Sequence, residues 1–356
     1  MRVRDVKVTV LTATTYANRQ HSPHATVQVS TDDGLTGISR CFPAHARVID
    51  EQLAPVLRGQ DPLNTERLWR AMYDVVRQNS RLHHTMVTAV GALDIALWDL
   101  KGKALNTPVH RLLGGFRDQI PKYADERMLD LSPAQHAGWC AKYVARGYRA
   151  VKYHMMGEAP DVVVETTRCI RDAVGPGVKI MIDVHKMWDP WMAVETARRL
   201  ESYDVFWLEE PISWDDQVGG MAFLAANTRI SVAAGESESN LYACRDLVQR
   251  GGVKVLQTDV IGGGGYTPWL KLAAVAGAFH AQAAPHGASF PELLAPLIAA
   301  LPNGLIVSGA PAGEPSEIWS KLYREPLEVR DGVCHLRDRP GLGLEFEEAY
   351  IKAHQA

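Results

Sequence analysis

The sequence predicts an α/β protein, a TIM-type (β/α) barrel preceded by a smaller α+β region. Three observations carry this. Short apolar, β-rich runs recur, and each stops at an ionisable residue: 179–182 at Asp183, 205–208 at Glu209, 229–235 at Glu236, 254–258 at Asp259 and 281–285 at His286. Those stops lie 23 to 27 residues apart, which accommodates one strand, one helix and two loops per unit. The intervening segments carry helical patterns, such as residues 191–200 with apolar side chains on one face, and strands alternating with helices imply a parallel sheet that eight units close into a barrel. Third, 356 residues suit a barrel of about 250 residues plus an accessory region. A single strand-ending Asp or Glu most often caps the next helix. Five ionisable stops in register instead gather around one mouth, because active sites of this architecture lie where strands end.

Composition narrows the class. Apolar content of 46% with 22% charged residues is ordinary for a soluble globular chain. A net charge of −3 and the lack of any Lys/Arg-rich run argue against a polyanion-binding surface, so nucleic acid is not an expected partner. Cys41, Cys140, Cys169, Cys244 and Cys334 are scattered, odd in number and free of CxxC spacing. They fit free thiols in a reducing cytoplasm better than disulfides or a cysteine metal site. The start of the chain alternates charged and apolar residues like a strand and lacks the apolar core of a signal peptide; no later stretch has the length and apolarity of a membrane span. A soluble, cytoplasmic protein is expected.

Taken in order, residues 3–12 and 24–31 alternate as strands, and Asp32-Asp33-Gly34 supplies a tight turn into a third strand over 35–39. The polar loop 16–23 holds Arg19, His21 and Pro23 and is a candidate lid, since loops on rigid scaffolds often supply substrate contacts. With Arg40, Arg19 and His21 are candidates for setting specificity. Helices are expected over 46–57, 65–76 and 85–103, the last with an apolar stripe of Ala89, Leu93, Ala96, Leu97 and Leu100. His83 and His84 precede that helix and, without a carboxylate at ligand spacing, read as surface or capping residues. The glycines at 262–265 lack the Gly-Lys-Ser/Thr pattern of a phosphate cradle and read as a flexible barrel loop.

Two runs are recognisable: Ala92-Leu93-Asp94-Ile95-Ala96-Leu97-Trp98-Asp99-Leu100-Lys101-Gly102-Lys103-Ala104, and Pro108-Val109-His110-Arg111-Leu112-Leu113-Gly114-Gly115. With the closing Pro340-Gly341-Leu342-Gly343-Leu344 they closely resemble the enolase superfamily, in its mandelate racemase/muconate lactonizing enzyme-like branch. The resemblance covers essentially the whole chain. It implies a modified (β/α)7β barrel over 119–330, an N-terminal α+β capping domain over 1–118 and a C-terminal segment, 331–356, packing back on the cap. It also implies that Asp183, Glu209 and Glu236 are metal ligands. Three carboxylates facing one point repel unless a cation sits among them, and Mg²⁺, a hard ion that leaves positions open for substrate oxygens, is the expected cofactor.

The same resemblance implies a His286–Asp259 dyad as base, the carboxylate fixing the tautomer and raising the basicity of the imidazole. His185, two residues beyond a ligand and on the same strand face, resembles the acid of galactonate- and mannonate-type dehydratases. Lys152 is expected to hold the substrate carboxylate with the metal. Where the family commonly has Lys-x-Lys on the second strand, this chain has Lys152-x-His154, so His154 could be base, acid or polar lining. The eighth strand lacks the usual glutamate; Glu314 follows it and is a candidate replacement. The expected function is dehydration of a small-molecule sugar acid, aldonate or aldarate, to a 2-keto-3-deoxy acid, by a homo-oligomer, dimer or octamer. The alternatives are a racemase or epimerase using His154 and His286, or a ligand-binding barrel without catalysis.

Overall fold

The computed structural model describes the chain apart from residues 13–23, 80–82, 126–130, 288–289, 310–317 and 319–320. Arg19, His21 and Glu314 therefore lie outside the described residues. Strands β1 (Val3–Leu11), β2 (His24–Thr31) and β3 (Thr36–Cys41) form an antiparallel meander. The helix His83–Ala104 packs on it. Sequence periodicity gave that helix one apolar stripe, but it is buried on all sides from Met86 to Leu100 because it is sandwiched between the meander and the barrel. A Cβ at Gly37 would lie 2.0 Å from the Ala96 carbonyl, and one at Gly91 would lie 2.1 Å from that of Ile261. Only glycine permits such approaches.

Two buried carboxylates lock the sandwich. Asp94 accepts from the backbone N–H and the hydroxyl of Thr267 on the barrel side (2.9 and 2.6 Å). Asp99 accepts from Ile38 N (2.8 Å) in the meander, Leu342 N (2.7 Å) and Lys103 Nζ (2.6 Å). Burial raises both carboxyls, Asp94 to about 7.

The antiparallel strand β4 (Gln119–Pro121) pairs with a hairpin of Glu328–Arg330 and Val333–His335. The parallel sheet follows: β5 (Ala124–Asp125), β6 (Ala150–His154), β7 (Lys179–Asp183), β8 (Val205–Glu209), β9 (Ser231–Ala234), β10 (Val255–Leu256) and β11 (Gln282–Ala283), each paired with the next. Residues 304–307 close it, through parallel bridges Ala283↔Gly304 and Lys122↔Val307. Among the described residues, seven α-helices, from Pro133–Val144 to Pro291–Ala300, separate the eight barrel strands. One side chain from, or next to, each strand fills the interior: Tyr123, Ala150, Met181, Trp207, Ala233, Val255, Ala284 and Ile306. The expected barrel with its N-terminal cap is the fold observed. The helix Glu348–His354 returns to β1, where Leu11 bridges Gln355 and Ala356 N donates to Val10 O (3.0 Å).

Arg40, expected at the mouth, is instead fully buried, with Nη1 2.5 Å from Glu292 Oε1 and Nη2 3.1 Å from His24 Nδ1. Burial and the adjacent guanidinium push His24 down to about 2, so it stays neutral. None of the five cysteines is joined in a disulfide. Among the described residues, no helix is long and apolar enough to cross a membrane.

Candidate active site

Strands β7, β8 and β9 lie side by side, and each delivers a carboxylate at or just beyond its C-terminal end: Asp183, Glu209 and Glu236. Their ligand oxygens all fall within 4.8 Å of one another. Asp183 and Glu209 are 1% exposed, a setting in which uncompensated carboxylates take up protons. Burial indeed pushes Glu209 up to about 7, against Lys152. Burial would also raise Asp183, but Lys152, His154 and His185 outweigh it and hold the carboxyl well below the usual range. Glu209 is further fixed by Trp207 Nε1 and Gln257 Nε2, which donate to Oε2 at 2.9 and 2.8 Å. Three converging, oriented oxygens of this kind fit a hard divalent cation. His154, Asp183 and His185 form a second cluster that shares Asp183. There, both ring nitrogens of His154 already face carboxylates, so the all-oxygen group is the better cation site.

Glu210, the acidic neighbour of Glu209, turns away. Its Oε1 accepts from Gly235 N (2.7 Å) and Glu236 N (3.0 Å), and its Oε2 from Gln217 Nε2 (3.0 Å). It thereby pins the turn that carries Glu236. Its φ of +43° marks where strand geometry ends.

The structure places the two second-strand candidates below the mouth. Lys152 is 1% exposed, with Nζ 2.5 Å from Glu209 Oε1, 3.5 Å from Asp183 Oδ2 and 4.0 Å from Asp125 Oδ1. There it counters the charge of the carboxylates from beneath; the sequence expectation was that it holds a substrate carboxylate, and in the structure its Nζ faces three carboxylates of the protein. His154 is clamped between Asp125 Oδ1 (2.9 Å from Nε2) and Asp183 Oδ2 (3.3 Å from Nδ1). Burial would lower its pKa, yet the two aspartates raise it to about 9. Of its three open roles, this geometry best suits polar lining, with both ring nitrogens facing aspartates.

The mouth itself is a cavity of about 360 Å³, lined among others by His185, Glu236, Asp259 and His286. His286 Nδ1 lies 3.3 Å from Asp259 Oδ2, and its Nε2 lies 3.6 Å from Glu236 Oε2. Burial opposes charge on this ring, but the bond to Asp259 and the proximity of Glu236 raise its pKa. Asp259 is oriented in turn by Gly262 N, 2.7 Å from Oδ1. His185 Nδ1 lies 3.2 Å from Asp183 Oδ1, and its backbone N–H donates to the same oxygen at 3.0 Å. Burial lowers its pKa, with Asp183 opposing. His185 and Lys186 have φ of +50° and +63°, so strand alternation stops at Asp183. That turn brings His185 to the cavity and Lys186 Nζ onto Glu236, 3.7 Å from Glu210 Oε2.

Sequence reasoning missed several residues here. Asp125 ends a two-residue strand too short to register as periodic. Lys186 follows a ligand but stood outside any recognised spacing. His83 and His84 lie inside the first helical turn, not before it: His83 Nδ1 faces Ser239 Oγ at 3.5 Å, and His84 lines the cavity with His45 from the cap.

Comparison with known proteins agrees with this geometry. Residues 1–114 match the family described as mandelate racemase / muconate lactonizing enzyme, N-terminal domain, and residues 135–350 match the enolase C-terminal domain-like family. A 3,6-anhydro-alpha-L-galactonate cycloisomerase of Streptomyces coelicolor is 31% identical over 95% of this chain and 94% of its own length. A D-galactonate dehydratase of Ralstonia pickettii is 31% identical over 91% and 89%. A mandelate racemase/muconate lactonizing enzyme from a marine actinobacterium, solved in complex with magnesium, superposes with a TM-score of 0.91 at 28% identity, covering 100% of this chain and 99% of that one. The chain belongs to the mandelate racemase/muconate lactonizing enzyme family of the enolase superfamily.

Proposed function

We propose that the protein is a Mg²⁺-dependent sugar-acid dehydratase. One observation carries this: two imidazoles, His185 and His286, line one cavity from the third and seventh of eight barrel strands, hence from opposite sides, with the carboxylate cluster between them. Asp183, Glu209 and Glu236 would hold Mg²⁺, which when bound supplies fixed positive charge for the substrate carboxylate and so acidifies the neighbouring C–H.

Asp259 accepts from His286 Nδ1–H and leaves Nε2 as the proton acceptor. His286 takes the C2 proton. The C2–H electron pair becomes the C2=C3 bond, the C3–O bond breaks, and His185 protonates the departing oxygen as water. The enol then tautomerises to the 2-keto-3-deoxy acid. The acid role requires the protonated His185 ring, the form that Asp183 favours and burial opposes.

A second reading is favoured by the cycloisomerase relative. In a 3,6-anhydro sugar acid the oxygen on C3 is a ring ether, and the same two histidines would open that ring by the same elimination. An epimerase would need a second base at C2, a role that the clamped His154 does not suit. Incubation with Mg²⁺ and a panel of aldonic, aldaric and 3,6-anhydro acids in D₂O tests the proposal. Keto product from an open-chain acid supports dehydration, and product from an anhydro acid alone supports ring opening. C2 inversion without keto product sinks both. We further propose that the protein acts in the cytoplasm as a symmetric homo-oligomer, with the cap over 1–118, the barrel over 119–330 and the returning segment over 331–356.

A further inference from the structure

The capping region contributes two groups to the cavity whose hydrogen-bonding roles are already decided. His45, 8% exposed, ends the short turn Pro43–His45, and its Nδ1 accepts from the backbone N–H of Phe42 at 3.3 Å. Burial lowers its pKa, so the ring is neutral. A neutral imidazole that accepts at Nδ1 carries its proton on Nε2, which leaves a fixed donor. Thr88, 6% exposed, donates its only hydroxyl proton to the His84 carbonyl one turn back, at 2.9 Å. Its remaining capacity is as an acceptor. Both residues line the cavity that contains His185 and His286.

A donor and an acceptor on one wall describe a particular ligand group. A hydroxyl can accept from His45 and donate to Thr88. A carboxylate cannot donate to Thr88 and would share the cavity with Glu236 and Asp259; a methyl group can do neither.

We propose that His45 and Thr88 form a subsite that reads a hydroxyl on the part of the substrate remote from the metal carboxylates, selecting hydroxyl-terminated aldonates over aldarates and terminal deoxy acids. The proposal rests on the sugar-acid reading for its substrate class, but its test does not depend on turnover. Buried donors and acceptors left without partners penalise the wrong ligand, so discrimination of about a hundredfold or more is expected.

The test measures binding of D-galactonate, D-galactarate and 6-deoxy-D-galactonate to the Mg²⁺-loaded protein by calorimetry, beside their turnover. Wild type should bind D-galactonate more tightly than either analogue by about a hundredfold or more. His45→Phe and Thr88→Val should weaken D-galactonate binding while leaving the 6-deoxy acid nearly unchanged, and His45→Gln and Thr88→Ser, which keep a donor or a hydroxyl, should recover part of the loss. A rise in KM that exceeds any fall in kcat should accompany each loss. Equal weakening of all three acids, tighter binding of galactarate, or no binding of any of them overturns the subsite. Discriminating binding without turnover or C2 exchange would leave the subsite standing and remove the dehydratase reading.

Discussion

The two sides of the barrel mouth use the same residue types in opposite ways. On the side of β5 to β8, Lys152 and His154 are buried and every charge-bearing atom faces a carboxylate of the protein. On the side of β9 to β11, His286 and Asp259 are partly open, with side-chain exposures of 30% and 23%. His185, at 27%, joins them across the cavity. A cation enclosed by protein anions sets the field of the site. His286 also has a carboxylate near each nitrogen, but its ring is 30% exposed where that of His154 is 5% exposed, so it can exchange a proton with a guest. Openness to the cavity, more than residue type, separates the two roles.

The largest expected effect is on the open side. His286→Asn should lower turnover and C2 deuterium exchange by about 10³-fold or more, within the range for loss of a general base, with Mg²⁺ affinity by calorimetry unchanged. Full exchange in that variant would erase the contrast. On the closed side, Lys152→Met should act on stability. It leaves Glu209 without its buried counter-charge, while Asp183 keeps His154, at a cost of about 3–5 kcal/mol in chemical denaturation without metal, partly recovered on adding Mg²⁺. A fold as stable as wild type would show that the ammonium is not needed beneath the cluster.

How much was legible in the sequence follows the same division. Asp183, Glu209, Glu236, Asp259 and His286 could be read as neighbours because each ends or closely follows a strand, and a barrel gathers strand ends whatever the helices between them do. The fates of Lys152 and His154 could not be read, because they depend on Asp125, a residue on a two-residue strand far away in sequence. Arg40 failed for a related reason: an arginine looks exposed until a buried Glu292, 252 positions later, meets it. His84 was misplaced by a boundary of two residues at a helix start, where sequence signals are weakest.

Two smaller effects sharpen the comparison. His185→Asn should reduce elimination by about 10²-fold while C2 exchange continues, since proton removal and departure of the leaving group fall to different rings. Product analysis and deuterium incorporation on one sample would check it, and a parallel loss of both would make His185 a binding residue only. His154→Gln should change turnover by less than about tenfold, since an amide can still bridge Asp125 and Asp183. A loss comparable to that of His286→Asn would move the closed side into the chemistry and revive epimerisation.

The return of the last helix to β1 bears on how the molecule comes apart. The chain passes from the meander through the barrel and back, so the meander is bounded on one side by Leu11↔Gln355 and on the other by the Asp99 bonds to Ile38 and Leu342. Asp94, on the same helix as Asp99, accepts from Thr267 of the barrel, so neither layer can melt without breaking contacts that the other contributes. Heating should therefore give a single cooperative transition and not two. Swinging the meander away as a rigid body would undo the same bonds that hold the fold, so the cavity is reached through the opening that already leaves His286 and Asp259 partly exposed.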